Sequence, residues 1–364
     1  MSKLSKLIKD PDLFFYDLFK KRIEKRNRNL ILEDLNGVIP AFHIADWKRN
    51  LISDFFGNGK KISFLPFKNI SRDLIEKIIA NENVELLVWG MNLPPELEGV
   101  KNKKIFIEDG FIRSVGLGSD HTLPFSLNVD SRSLYFDSRR ETDLELMIKN
   151  FNPQQEPELI ERAKLNIEKI IKYGISKYNN SQNVDISKIY GEKNRKRILV
   201  VGQVEDDASI IYGSEKRFNN NDLVVTARLE NPEAEIIYKP HPDVLFGKRK
   251  ELSNPKDVEN ICKIVTGSIP ISQMLETVDH VYTITSQVGF EALLRGIKVT
   301  TLGAPFYSGW GLTDDRQIVE RRNVKRTILD LFAVCYIKYP MYINPYTKKR
   351  IEIEDAINCI IAMK

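Results

Sequence analysis

Two short acidic segments of this 364-residue chain could supply acid–base chemistry. The segment EDGFIRS places Glu108 beside Asp109, directly before a glycine, and adjacent carboxylates of this kind can act as a general acid or base. The segment QVEDDAS, residues 203–209, carries three acids in a row, which repel one another unless they are solvated or paired with a cation. Each segment is therefore a candidate site, and a solvated surface turn is the alternative in both cases.

Two other segments have residue types that suit a phosphate group. In KPHPD, Lys239 and His241 flank a proline that fixes the backbone, so a cation and an imidazole leave one rigid loop. In TSQVGFEALLRG, Thr285 and Ser286 occupy the position of a helix N-cap, where backbone N–H groups attract anions. Glu291 follows on the same helix and could accept hydrogen bonds from both hydroxyls of a ribose. The alternatives are a loop histidine without a ligand and an exposed helical glutamate.

A long glycine-rich segment, GAPFYSGWGLTDDR at residues 303–316, predicts a lid or a wall of a pocket. Other ligand classes lack their sequence signatures. There is no GxGxxG after the first strand of either half for a dinucleotide, and no GxxxxGK[ST] for a nucleoside triphosphate. The acidic pairs Asp206/Asp207 and Asp314/Asp315 have no histidine at ligand spacing, so we expect no bound metal.

These segments follow apolar runs that predict the strands of parallel sheets. Strands that alternate with helical periodicity indicate an α/β fold, in which ligands bind beyond the carboxyl ends of the strands. The polar stretch 179–196 is the predicted linker between two such units. The predicted strands are 62–67, 84–90, 104–107, 125–129, 133–136, 197–202, 235–238, 262–265, 280–284 and 298–302. The predicted helices are 71–81, 142–150, 156–178, 269–277, 287–295 and 352–363.

Length and composition are those of a globular protein of two domains. Hydrophobic residues make up 42% and charged residues 29% of the chain, which argues against disorder. No apolar run reaches the roughly 18 residues that span a bilayer, and the N-terminus lacks the apolar core of a secretory signal. The three cysteines show no CxxC spacing. We therefore expect a cytoplasmic protein.

The net charge of +5 is concentrated at the N-terminus. Residues 1–28 contain nine Lys or Arg against four acids, and apolar residues alternate with lysines there on both sides of Pro11. This pattern predicts two short amphipathic helices that dock weakly to an anionic membrane, or that pack on the protein core. Docking to the membrane would bring the protein into peripheral contact with the inner membrane.

Taken together and in order, five segments resemble the bacterial capsule-polysaccharide β-Kdo transferases. They are EDGFIRSVGLGSDHTLPFSLNVD, QVEDDAS, YKPHPDV, TSQVGFEALLRG and GAPFYSGWGLTDDR, which span about residues 104–315. That family transfers 3-deoxy-D-manno-oct-2-ulosonic acid (Kdo) from CMP-Kdo with retention of the β configuration. The resemblance implies an α/β, GT-B-like fold of two Rossmann-like domains facing across a cleft. We expect an acceptor-side domain at 1–180, a nucleotide-sugar-binding domain at 195–335, and a C-terminal crossover and helix at 336–364.

The resemblance also implies roles for single residues. Asp207 would be the nucleophile of a double displacement, with Asp206 as second choice. Glu108 would be the acid–base group, with Asp109 next. The residues expected to bind the CMP-sugar are Lys239 and His241 at the phosphate, Glu291 at the ribose, Ser286, Gln287, Gln203, Ser209 and Arg113. Arg113 and Arg316 are the candidates for the carboxylate of the sugar.

The expected function is transfer of Kdo to a glycan or glycolipid in capsule or lipopolysaccharide biosynthesis, at the cytoplasmic face of the inner membrane. We expect no cofactor, no metal requirement and no nucleic-acid partner, but contact with other capsule-assembly proteins. One alternative is a sialyltransferase-like enzyme that uses another CMP-activated keto-sugar acid. The other is a capsule-assembly module that binds without turnover, although such a module needs neither acidic segment. Some members of the resembling family carry two transferase modules, whereas this sequence has room for one.

Overall fold

The computed structural model describes residues 35–56, 59–66, 70–116, 118–179, 184–245, 247, 249, 252–267 and 269–364. The contacts of the chain divide it into two units, Met1–Ile107 and Glu108–Lys364. The predicted boundary near residues 180–195 differs from this division and stays a prediction. The basic segment 1–28, with its predicted membrane docking, lies outside the described residues.

The first unit is built on parallel strands joined by amphipathic helices. Its elements are β1 (Val38–Phe42), α1 (Arg49–Phe56), β2 (Lys61–Phe64), α2 (Arg72–Ala80), β3 (Leu86–Trp89) and the start of β4 (Lys104–Asp109). The strand order is β2-β1-β3-β4, with Ala41 opposite Leu87 and Leu86 opposite Lys104. All three pairings are parallel. The apolar residues Leu86, Leu87 and Val88 are fully buried, as a strand covered on both faces requires.

The second unit contains a parallel sheet whose strand order is β8-β7-β6-β9-β10-β11. Its strands are β6 (Arg197–Val201), β7 (Glu235–Lys239), β8 (Lys263–Ile264), β9 (His280–Thr283), β10 (Lys298–Thr301) and β11 (Asp314–Asp315). The helices associated with this sheet are α5 (Ile186–Tyr190), α6 (Ala208–Gly213), α7 (Asn220–Glu230), α8 (Pro242–Leu245), α9 (Ile271–Met274) and α10 (Gln287–Leu293). Every residue of β6 is buried, because helices cover the sheet on both sides. Parallel sheets of this kind confirm the predicted α/β, GT-B-like class.

The second unit also holds a smaller antiparallel set of strands and several further helices. Strand β12 (Pro340–Asn344) pairs antiparallel with β5 (Ser126–Asp130) and with β13 (Lys349–Arg350). The remaining helices are α3 (Asp143–Asn150), α4 (Pro157–Tyr173), α11 (Ile328–Phe332), which runs into a π-helix at Ala333–Lys338, and α12 (Ile353–Met363). In the described part of the chain, none of the helices combines the length and apolarity needed to cross a bilayer.

Most predicted strands and helices form within a few residues of their expected bounds, and some predictions were wrong. Residues 133–136, predicted as a strand, form turns, because Ser133 and Asp137 hydrogen-bond locally instead of joining a sheet. The helix predicted to reach residue 178 ends at Tyr173, where Gly174 adopts a left-handed conformation with φ of 58°. The predicted linker contains α5, which Asp185 caps. Strands β1 and β12 and helix α7 had no counterpart among the predicted elements.

A buried cluster of charges ties α3 to the segment after the glycine-rich loop. The Glu145 side chain is 4% exposed, and its carboxylate forms ion pairs with Arg321 at 3.0 Å and Arg322 at 3.2 Å. Arg322 also donates hydrogen bonds to the carbonyls of Pro305 and Ser308. The Arg322 guanidinium is 2% exposed, so its charge depends on these partners for compensation.

Replacing Glu145 with Gln should destabilise the protein strongly, since it leaves the buried Arg322 guanidinium without a counterion. We expect a loss of about 3–5 kcal/mol in the free energy of unfolding, measured by urea denaturation. Lys188→Met is the control, because it removes the cation of an exposed pair with Asp185 and should cost less than about 1 kcal/mol. Equal stability of Glu145→Gln and the wild type would contradict a structural role for this cluster.

Candidate active site

Three of the chemically suggestive segments leave neighbouring strands of the second sheet at the same edge. Strand β6 lies between β7 and β9, with Val201 opposite Lys239 on one side and opposite Thr283 on the other. QVEDDAS, KPHPD and TSQVGFEALLRG therefore begin side by side at the carboxyl ends of their strands. A parallel sheet places ligands at this edge.

The Gln203 side chain holds the first of these loops to the third. Its Oε1 accepts a hydrogen bond from Thr285 N at 2.8 Å, and its Nε2 donates to Thr285 Oγ1 at 3.0 Å. The backbone N–H of Gln203 donates to Asn220 Oδ1 at 2.9 Å. Gln203 is buried, and both ends of its amide are used within the protein. Its predicted contact with a CMP-sugar stays a prediction.

Asp207, the second residue of the acidic pair Asp206/Asp207, is the N-cap of helix α6. Its Oδ1 accepts hydrogen bonds from Ser209 N at 2.9 Å and Ser209 Oγ at 2.8 Å. Its neighbour Asp206 is exposed and forms an ion pair with Arg249 at 2.7 Å. The two carboxylates therefore differ in their surroundings: Asp207 is oriented by a helix start, and Asp206 faces solvent. The Ser209 hydroxyl is part of this cap.

Lys239 and His241 both lie in a desolvated environment, and His241 is within electrostatic reach of Asp207. The Lys239 ammonium donates to the carbonyl of Gly267 at 2.7 Å, and burial lowers its pKa to about 8. Burial also lowers the pKa of His241, against the opposing charges of Asp243 and Asp207. The neutral ring accepts a hydrogen bond from Asp243 N at Nδ1, so its proton is on Nε2. Both groups can donate to an anion.

The EDG segment is fixed by a buried guanidinium. Arg113 is fully buried, and its Nε lies 2.9 Å from Asp109 Oδ2. Its terminal nitrogens donate to Ser114 Oγ at 2.6 Å and to the carbonyl of Thr122 at 2.9 Å. These contacts orient Asp109 and bury Arg113. The other candidate for a sugar carboxylate, Arg316, forms ion pairs of 2.8 Å with Glu230 and with Asp314.

Tyr135 lies within electrostatic reach of both acidic segments. Burial raises the pKa of its phenol, and the charges of Glu108 and Asp207 raise it further against Lys177, so the hydroxyl stays protonated at neutral pH. Its ring packs edge-on against Phe111, which follows EDG, with ring centres 4.8 Å apart. The contact places Tyr135 next to the EDG segment.

Lys177 supplies a cation to the same cluster. Burial alone would lower the pKa of Lys177, but neighbouring phenols and carboxylates raise it above its ordinary value, so the ammonium is charged. These neighbours are Tyr135, Tyr178, Asp109 and Glu108. Neither Tyr135 nor Lys177 was among the predicted site residues. The feature of the sequence that could have indicated Lys177 was Gly174. A left-handed glycine ends a helix, so Lys177 lies in the loop that follows it.

Helix α10 contributes its first turn and a buried carboxylate. Ser286 is the N-cap, as predicted, and its Oγ accepts from Val288 N at 3.2 Å. Gly289 leaves room for the Tyr307 hydroxyl, which donates to the Ser286 carbonyl at 2.5 Å. The Gln287 Nε2 donates to the carbonyl of Phe111, the residue that follows EDG. This helix start is therefore held by the protein on several sides.

Glu291 is 4% exposed, and its Oε1 accepts a hydrogen bond from the backbone N–H of Lys177 at 3.3 Å. Burial raises the pKa of Glu291 to about 7, although Arg295 and Lys177 act in the opposite direction. The contact joins α10 to the loop that carries Lys177. Binding of a ribose by Glu291 stays a prediction. No group of three His, Cys, Asp or Glu side chains within the described ranges is arranged to hold a metal ion.

Residues 160–342 match the sequence profile of the family described as capsule polysaccharide biosynthesis protein. The lipopolysaccharide-processing protein LpsZ of Rhizobium meliloti is 46% identical, over 88% of this chain and 73% of that protein. The chain belongs to the capsule polysaccharide biosynthesis protein family. The capsule polysaccharide modification protein LipA of Neisseria meningitidis serogroup B is 36% identical over 91% of this chain, which spans less than half (46%) of that longer protein.

Two solved structures from Thermosulfurimonas dismutans are similar over most of this family member. One is KpsC, beta Kdo 2,4 transferase, with a TM-score of 0.73 and 31% identity over 88% of this chain and 98% of that chain. The other is KpsC, beta Kdo 2,7 transferase, with a TM-score of 0.72 and 32% identity over 89% of this chain and 99% of that chain. The resemblance inferred from the sequence segments is confirmed.

Replacing Gln203 with Leu should destabilise the protein, because the Thr285 backbone N–H loses its buried acceptor. We expect a loss of about 3 kcal/mol in the free energy of unfolding, measured by urea denaturation. The exposed Gln155 provides the matched control, and Gln155→Leu should change stability by less than about 0.5 kcal/mol. An unchanged midpoint for Gln203→Leu would show that the amide does not hold the two loops together.

Proposed function

We propose that the chain is a retaining glycosyltransferase that moves Kdo from CMP-Kdo to a glycan or glycolipid acceptor. The observation that supports this most directly is that QVEDDAS, KPHPD and TSQVGFEALLRG begin side by side at the carboxyl ends of β6, β7 and β9. His241 feels the charges of both Asp207 and Lys239, so the groups proposed to bind phosphate and the carboxylate belong to one site. The similarity to two KpsC structures supports Kdo as the sugar.

The donor is proposed to bind through its phosphate at the edge of the second sheet. Lys239 and the Nε2–H of His241 would donate to the phosphate oxygens, together with backbone N–H groups at the start of α10. Gln203 would act by holding Thr285 in place beside them, because its amide is already engaged. This arrangement neutralises the phosphate without a metal ion, and metal independence is part of the proposal.

The first displacement is assigned to Asp207. Its carboxylate would attack the anomeric carbon of Kdo on the face opposite the phosphate, forming a C–O bond while the bond to the CMP oxygen breaks. CMP leaves with the bonding electrons and carries the negative charge to Lys239 and His241. The Ser209 hydrogen bonds fix the orientation of the Asp207 carboxylate before the attack.

The second displacement returns the sugar to an acceptor hydroxyl. Glu108 would remove the hydroxyl proton while the acceptor oxygen attacks the anomeric carbon and the ester bond to Asp207 breaks. Two inversions give net retention. Asp109 is held by Arg113, which makes Glu108 the stronger candidate for the base. The charged Lys177 and the protonated Tyr135 would hydrogen-bond to the carboxylates or to the sugar acid between them.

We place this reaction in capsule or lipopolysaccharide biosynthesis at the cytoplasmic face of the inner membrane. A test of the assignment is to incubate the protein with CMP-Kdo, CMP-sialic acid or neither, and to measure the release of CMP. Release from CMP-Kdo alone supports the proposal, and release only from CMP-sialic acid favours a sialyltransferase-like enzyme. Binding of CMP without release from either donor points to a non-catalytic module.

The affinity for CMP should fall with rising pH because Lys239 loses its proton near pH 8 in the free protein. Bound phosphate favours the protonated form, so we expect roughly tenfold weaker binding at pH 9 than at pH 7 by isothermal titration calorimetry. Lys239→Arg keeps the charge at both pH values and should remove most of this dependence.

Identical pH profiles for the wild type and Lys239→Arg would exclude Lys239 as the titrating group. Lys239→Met removes the charge at every pH, so it should bind CMP weakly at both pH values. Repeating the titration with EDTA and with added magnesium tests metal independence, since a required metal would make binding sensitive to EDTA.

Asp207→Asn should abolish transfer while preserving the fold and CMP binding. An amide keeps the size and the helix-capping oxygen of Asp207 but cannot form the ester, so the rate should fall by several orders of magnitude. Mass spectrometry of the wild type with CMP-Kdo and no acceptor should find a Kdo adduct on the peptide that contains Asp207.

The neighbouring Asp206 is the matched control, since Asp206→Asn removes an exposed carboxylate one residue away and should reduce transfer only mildly. Near wild-type transfer by Asp207→Asn, measured as CMP release with acceptor present, would reject Asp207. Glu108, Asp109 and Asp206 would then be the carboxylates to test.

A further inference from the structure

The loop that follows α4 in the second unit carries a lysine and a tyrosine on a backbone with buried anchors. Gly174 ends the helix in a left-handed conformation, and the next residue, Ile175, is fully buried in the hydrophobic core. The Ser176 hydroxyl is buried and donates to the carbonyl of Tyr178 at 2.6 Å. Lys177, in contrast, is half-buried, and Tyr178 is 36% exposed. The loop therefore turns these two side chains away from the core.

Asn179 ties this loop to the last residue of the segment EDGFIRS. Its Nδ2 donates to the carbonyls of Ser114 at 3.0 Å and Ser176 at 2.8 Å, and its Oδ1 accepts from Ser176 N at 3.0 Å. Ser114 N in turn donates to the carbonyl of Lys177 at 3.4 Å. The backbone N–H of Lys177 also donates to Glu291 of α10. Lys177 is therefore held between the segment EDGFIRS and α10.

The Lys177 ammonium has a different set of partners from the two arginines considered for a sugar carboxylate. Arg113 is fully buried and forms an ion pair with Asp109, and Arg316 forms ion pairs with two carboxylates. Within the described residues, the Lys177 ammonium forms neither an ion pair nor a hydrogen bond, and its closest recorded ring is that of Tyr178, with the centre 5.8 Å away. Burial acts to lower its pKa, but neighbouring phenols and carboxylates raise it, so the group is charged.

We propose that Lys177 binds the carboxylate of the sugar acid and that Tyr178 supports the sugar ring, so that Lys177 selects acidic over neutral sugars. The ammonium would donate charge-assisted hydrogen bonds to the carboxylate oxygens, and a C–H face of the sugar would pack on the exposed part of the tyrosine ring. This subsite deepens the proposed function, on which it rests, by naming the group that recognises the sugar. The two arginines are thereby set aside for this role.

The charges of the donor support this assignment. A CMP-activated keto-sugar acid has two anionic groups, the phosphate and the carboxylate. The phosphate is assigned to Lys239 and His241, so the carboxylate is the anion that still requires a cation. Attraction between opposite charges is stronger in a half-buried position than in water, which favours Lys177 over a fully exposed lysine.

The alternative role for Lys177 is to compensate the carboxylates of the EDG segment. Asp109 already has the buried Arg113 guanidinium at 2.9 Å for this purpose. A lysine with a purely compensating role would be expected to form an ion pair with the protein, as Arg113 does. An ammonium that is held in place without such a pair can form its short contact with an anion of the substrate.

The test is isothermal titration calorimetry with a sugar acid that cannot be transferred. The ligand is the 2-deoxy analogue of Kdo, which keeps the ring and the carboxylate but lacks the anomeric oxygen. Its matched partner is the corresponding carboxamide, and saturating CMP is present throughout. We expect the acid to bind to the wild type roughly tenfold more tightly than the carboxamide, which is the effect of one hydrogen bond to a charged group.

Variants separate the two side chains. Lys177→Met should weaken binding of the acid roughly tenfold without changing that of the carboxamide, whereas Lys177→Arg should keep the preference for the acid. Tyr178→Ala should weaken both ligands alike, because packing on the ring does not depend on the carboxylate. The matched controls are Lys172→Met and Tyr173→Ala, since these neighbours form another lysine–tyrosine pair, with the ammonium 5.4 Å from the ring centre. Both controls should bind the two ligands as the wild type does.

Equal affinities of the wild type for the acid and the carboxamide, or binding of neither, would overturn the proposal even if Lys177→Met does not fold. A preference for the acid that persists in a folded Lys177→Met would also overturn it, as would an equal loss of affinity for both ligands, which indicates a structural lysine. The titrations require no sugar transfer. Selective binding of the acid by a protein that releases no CMP from CMP-Kdo would therefore reject the proposed function alone, and CMP release with an unselective Lys177 would reject this subsite alone.

Discussion

One side-chain amide joins the segments on which the candidate active site depends. Gln287 Nε2 donates both to the carbonyl of Phe111 at 2.8 Å and to the hydroxyl of Tyr336 at 3.0 Å. The Phe111 and Tyr336 rings stack with centres 5.2 Å apart, and Tyr336 also stacks on Phe290 of α10. Phe111 directly follows the EDG segment. This contact therefore fixes the acidic pair of EDG against the start of α10, within one hydrophobic core.

Several charged residues of the site region serve to position other charges. Arg113 is buried to orient Asp109, and Glu291 is buried to hold the backbone of Lys177. A buried charge is tolerated only when its partners compensate for lost solvation, so each of these residues restricts what its neighbours can be. Asp207, Tyr135 and Lys177 are by comparison partly exposed. The site region therefore combines buried charges that position their neighbours with partly exposed polar groups.

The sequence was sufficient to predict the parallel sheets, the edge at which the segments meet and the capping role of Ser286. These depend on local patterns, namely apolar runs, N-cap residues and the rule that parallel strands share an edge. It was insufficient for contacts between distant segments. Nothing in EDGFIRS indicates that Arg113 is buried against Asp109, and an isolated tyrosine at position 135 has no signature before the fold packs it against Phe111. The wrong strand at residues 133–136 hid that tyrosine, because the apolar run was interpreted without its local hydrogen bonds.

The helix cap formed by Asp207 has a consequence for the lifetime of a covalent species. An ester on Asp207 Oδ2 would leave Oδ1, which accepts both hydrogen bonds from Ser209, as a neutral carbonyl oxygen. Hydrogen bonds to an ionised acceptor are roughly twice as strong as those to a neutral one, so the cap of α6 would be weakened for as long as the ester exists. Hydrolysis or transfer would restore the charged cap. The fold would thus make the loaded state less stable than the unloaded one, and a sugar held in this way would be released rather than stored.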